Sequence, residues 1–100
     1  MYKSPITNEQ FFGLSAEYFG PEIFSGKATK RVSRMKRMWC AFAIYEGDMT
    51  YEEAGRFVHL HYSSVSYHKS KHNEEYFQNA NYKMQYDNFL NFINSKLKSI

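Results

Sequence analysis

Residues that stop helices are scarce in this chain, and their placement limits its fold more than any other feature. Five Gly and two Pro serve 100 residues, and the clearest stops are Gly20-Pro21, Gly26 and Gly47. Gly suits the position just past a helix and Pro cannot continue one. The stretches between these stops therefore read as helices. Hydrophobic residues make up 43% and aromatics 19%, with nine Tyr and nine Phe. That supply fills a core, and it argues against disorder, in which aromatics are rare. One hundred residues allow one domain, 1–100, with no room beside its core for an ATPase or a nucleotide-binding sheet.

Local signals set the order of elements. Thr7-Asn8-Glu9-Gln10 fits a capping box, and Phe11, Phe12, Leu14, Ser15, Tyr18 and Phe19 recur behind it at helical spacing. Pro21–Phe24 can form one short turn, and 25–29 reads as a basic loop. A longer helix is predicted over 30–45, with Val32, Met35, Trp39, Phe42 and Ile44 or Tyr45 as its apolar stripe. Thr50-Tyr51-Glu52-Glu53 is a second capping box; Ala54, Phe57 and Val58 follow it on a helix of about two turns. His59 and Leu60 make a tight turn into a helix over 62–77, and Asn79-Ala80-Asn81 breaks that run. The last helix, 82–97, carries Tyr86, Phe89, Leu90, Ile93 and Leu97 on one side. The expected fold is an all-α bundle of about five to six helices, with a helix-turn-helix in its second half.

Charge is distributed unevenly. The net charge is +3, but residues 27–37 hold Lys27, Lys30, Arg31, Arg34, Lys36 and Arg37 without one acid. Residues 59–72 add Lys69, Lys71 and all four His, again without an acid. Two such blocks on one surface suit a polyanion such as the DNA backbone; the alternative is a solvated basic face.

Other classes find little support. No window approaches the roughly 18 apolar residues of a membrane span, and Met1–Thr7 lacks the regions of a secretory signal. The single Cys40 rules out an internal disulfide and a multi-Cys metal framework, which points to a reducing, cytoplasmic setting. His68 and His72, four residues apart, are the best metal pair, but no Cys or well-placed acid accompanies them, so neither metal nor cofactor is expected. No Ser/His/Asp order and no Gly-rich phosphate loop appears, and the chain reads as a non-enzyme.

In order and spacing, the motifs from about Ile6 to Leu97 resemble the C-terminal DNA-binding domain of the bacterial replication initiator DnaA, a Trp-repressor-like helix-turn-helix. Ile6-Thr7 with Ala16-Glu17-Tyr18-Phe19 is similar to that family's first helix, and Ile23-Phe24-Ser25 to the segment before its basic loop. Arg34-Met35-Lys36-Arg37-Met38 falls at the start of its long helix. Thr50-Tyr51-Glu52-Glu53-Ala54-Gly55-Arg56 is similar to its "S-x-x-E-I-G-R", and His61–His68 to its "R-D-H-[ST]-T-V-x-H". His61-Tyr62 stands where the family has Asp-His, and Ala28 where it has the minor-groove Arg. The turn before His61 is one residue shorter.

The resemblance implies duplex-DNA binding by a stand-alone module in the nucleoid, as a small regulator of transcription or replication. The second helix of a helix-turn-helix presents its N-terminal residues to base edges, which makes His61, Tyr62, Ser63 and Ser66 the base-contact candidates. Lys27, Lys30, Arg31, Arg34, Lys36, Arg37, Ser64, His68 and Lys69 are the candidates for phosphate or the minor groove. Two rival readings are a dimeric Trp-repressor-like regulator and an adaptor that uses the fold to bind a protein partner.

Overall fold

In the computed structural model, which describes residues 8–25 and 29–98, the regular structure is α-helix apart from one 3₁₀ turn. Helix α1 runs Asn8–Phe19 and stops at Gly20, whose φ of 90° is open to Gly and costly for other residues. The 3₁₀ turn Pro21–Phe24 follows and tucks Ile23 fully inside. Helix α2 runs Lys30–Tyr45, α3 Tyr51–Val58, α4 Tyr62–Gln78 and α5 Ala80–Lys98. The chain is thus the expected all-α bundle.

Caps define the helix starts. Thr29 opens α2 by accepting the Val32 N–H at 3.2 Å. Thr50 opens α3 with a complete capping box: its hydroxyl accepts from Glu53 N–H, and the Glu53 carboxylate accepts from Thr50 N–H. Thr7, the expected cap of α1, lies outside the described residues. At the other end of the chain the expected three-residue break shrinks to one residue. Asn79 alone leaves the helix, and its Oδ1 accepts the Tyr82 N–H at 3.1 Å, so α5 starts at Ala80.

Trp39 organises the core. It is fully buried, stacks on Phe11 at 5.1 Å and donates its indole N–H to Ser15 Oγ at 2.9 Å. Ser15 in turn donates to the Phe11 carbonyl, so the one polar atom of the indole is satisfied inside an aromatic cluster. Cys40 is buried beside it, and burial pushes its thiol up to about 12.

Helix α5 closes the bundle within the chain. Tyr82, Tyr86, Phe89 and Ile93 are buried, and Phe89 meets Phe19 of α1 at 4.6 Å and Phe42 of α2 at 5.2 Å. Fully burying such side chains is worth roughly 1.5–3 kcal/mol each. The side chain of Leu97 lies outside the described set.

Candidate nucleic-acid interface

Gly55 fixes the joint between α3 and α4. Its carbonyl accepts the N–H groups of His59 and Leu60, and His59 turns the chain in the left-handed region at φ 58°. A Cβ on residue 55 would lie 2.3 Å from the Leu60 carbonyl oxygen, so only Gly permits so close a turn. Val65, fully buried, anchors the first turn of α4 beneath it.

The result is a helix start that stands out from the bundle. His61 caps α4, its Nδ1 accepting the Ser63 N–H at 3.3 Å, with Ser63 Oγ 2.8 Å away. His61, Tyr62 and Ser63 are exposed, Tyr62 by 53%, while Ser64 and Ser66 are half-buried. The Ser64 N–H is already bonded to the His61 carbonyl. Tyr67, one turn beyond Ser63, is 55% exposed. The sequence candidates on either side of it, Ser66, His68 and Lys69, left Tyr67 out; its place four residues after Ser63 was the available signal.

The cations divide sharply. Lys30, Arg31 and Arg34 are exposed on α2; Arg31 pairs with Glu22 at 3.2 Å, while Lys30 and Arg34 form no ion pair with a described residue. Lys30, Ser33, Arg34 and Arg37 together line a shallow depression of about 270 Å³. Lys27 lies outside the described residues. Lys69, on α4, is held against Tyr51, whose hydroxyl accepts its proton at 3.1 Å, and sits over the Tyr45 ring.

Three of the phosphate candidates turn inward, which corrects the expectation for them. Lys36 is buried between Val32 and Cys40 on the core side of α2, and its ammonium donates to the Ser25 carbonyl at 2.7 Å. Burial lowers its pKa. Arg37 pairs with Glu75 of α4 and donates through Nε to His68 Nδ1 at 3.3 Å. His68 is buried, and burial, then the charges of Arg37 and Lys36, hold its pKa down to about 4. It is neutral at pH 7 and brings no charge to a phosphate.

His72 continues the same interior. Its Nδ1 lies 2.7 Å from the Tyr82 hydroxyl, and burial followed by Arg37 holds its pKa down to about 4. His68 and His72 thus face separate partners, and among the described residues no three His, Cys, Asp or Glu groups are arranged to hold an ion. Tyr82, fully buried, was missed because it stands at the first position of the expected last helix, directly after the Asn79-Ala80-Asn81 break, and was left out of that helix's stripe.

No family model, curated protein or solved structure matches this chain.

Proposed function

We propose that this protein binds duplex DNA, with α3 and α4 acting as a helix-turn-helix and α4 entering the major groove. The observation that carries the reading is the start of α4: His61, Tyr62 and Ser63 are exposed at its cap and first turn, near the head of a stretch without acids from 59 to 72. A recognition helix works in this way, with its first turns at the base edges. Lys30, Arg31 and Arg34 supply charge for phosphates, which positions the protein without reading sequence. The motif resemblance to the DnaA C-terminal domain supports the same reading. A small regulator of transcription or replication is the role that fits, acting as a module without chemistry of its own.

Selection of bound duplexes from a random pool tests the reading. An enriched motif is the expected result; no retained duplex at low salt contradicts it. One observation favours a second reading, a protein-binding adaptor. Phe77 is 87% exposed beside a groove formed by Tyr45, Tyr76, Tyr86 and Leu90, an unusual place for a large apolar ring. An adaptor of this kind retains no duplex.

A further inference from the structure

Over residues 62–73 the outward face of α4 carries rings and hydroxyls, and its amide and ammonium groups already have partners. From residue 62 to 70 the exposed or half-exposed side chains off the core are Tyr62, Tyr67, Lys69 and the four serines of that stretch. The strongest base discrimination comes from paired bonds: Arg or Lys on guanine, Asn or Gln on adenine. The residues of this stretch that could supply them, Lys69, Lys71 and Asn73, are held elsewhere. Lys69 is bonded to Tyr51 and lies over Tyr45. Lys71 pairs with Glu74 at 3.4 Å. Asn73 exchanges two bonds with the Tyr45 hydroxyl, at 2.9 and 3.0 Å.

Serine hydroxyls bond to any base and choose poorly. An aromatic ring has one specific target in the major groove, the thymine 5-methyl group, which is the apolar feature there. On the duplex-DNA reading, we infer that α4 selects thymine through this methyl group, with Tyr67 as a specificity-determining residue one turn beyond Ser63. At about 1.5 Å of rise per residue, Tyr67 lies about 6 Å along the axis from Ser63, close to two base-pair steps. One face of its ring carries the Lys71 ammonium, 5.9 Å from the centroid, a contact that favours this placement of the ring. The ring is still 55% exposed, so its remaining surface is available for contact.

The test uses alternating dA–dT and dA–dU duplexes of equal length, which differ only by the methyl group. Fluorescence anisotropy with the full chain should favour the dT duplex by about fourfold for each methyl buried, taking about 0.8 kcal/mol per buried carbon group. Tyr67→Ala should reduce that preference while keeping the salt dependence of binding. Tyr67→Phe should retain the preference, because the ring and not its hydroxyl makes the contact. Circular dichroism confirms that each variant is folded. Equal binding of dT and dU duplexes by the unmodified protein overturns thymine selection and leaves DNA binding standing. A preference untouched by Tyr67→Ala overturns the role of Tyr67. Failure to bind either duplex at low salt removes the duplex reading itself, and the inference with it.

Discussion

Lys30, Arg31 and Arg34, on the first turns of α2, hold their charges at the surface, whereas Lys36 and Arg37, scarcely a turn further on, hold theirs inside the fold. The outer group meets solvent and a single exposed pair to Glu22. The inner group fastens the chain: Lys36 ties α2 to Ser25, and Arg37 ties α2 to α4 through Glu75 and His68. The same side-chain chemistry therefore stays open to solvent in one place and serves architecture in the other. Rotation by about 100° per residue around a helix is enough to separate the two roles.

Acid should separate the regions most strongly. His68 and His72 are held neutral inside, near pKa 4, by burial and by the inner cations. In the unfolded chain they take up protons near the ordinary value of about 6.5. Their contribution is thus complete above about pH 6.5 and is lost as pH falls toward 4. Urea unfolding should show stability dropping by up to about 1.4 kcal/mol per pH unit for each histidine over that window. His68→Gln should flatten the slope, and an unchanged slope would show that His68 is not held neutral inside.

Removing the inner cations comes next. Arg37→Ala leaves Glu75 three-quarters buried without its partner, and should cost about 2–3 kcal/mol of stability in urea unfolding. Lys36→Ala leaves the Ser25 carbonyl without its donor and should cost about 1–2 kcal/mol. If either variant unfolds at the same urea concentration as the parent, its cation belongs with the outer group. The smallest effect on stability is expected for Lys30→Ala, Arg31→Ala and Arg34→Ala combined, each change within about 0.5 kcal/mol.

The difference between the two groups explains what a reader of the sequence can and cannot recover. The capping box at Thr50, the bounds of α2 and the burial of Trp39 follow from signals within one turn or two, and the structure repeats them. The inward turn of Lys36 and Arg37 depends on which side of α2 meets α4 and on Glu75, which lies 38 positions after Arg37. No local pattern carries that information. Tyr82 shows the same limit on a smaller scale. It continues the α5 stripe four residues before Tyr86, but Asn79 and Asn81 beside it read as a stop, and only the cap made by Asn79 reveals that the helix has already begun. In the candidate interface, His61, Tyr62 and Ser63 could be read from their place after the turn, whereas Tyr67 had only its spacing from Ser63 to mark it until its exposure was seen.

On the duplex-DNA reading, the outer cations of α2 meet phosphates while the inner ones hold the fold. Binding of a mixed-sequence duplex, measured across a salt series for the parent and for the combined Lys30, Arg31 and Arg34 to Ala variant, tests it most directly. Each phosphate contact contributes roughly −0.9 to the slope of log affinity against log salt. A steep negative slope is expected for the parent, and a slope shallower by about 2.7 for the folded variant, from three contacts at that value. Parallel slopes for the two proteins, or a parent whose binding ignores salt, would contradict it.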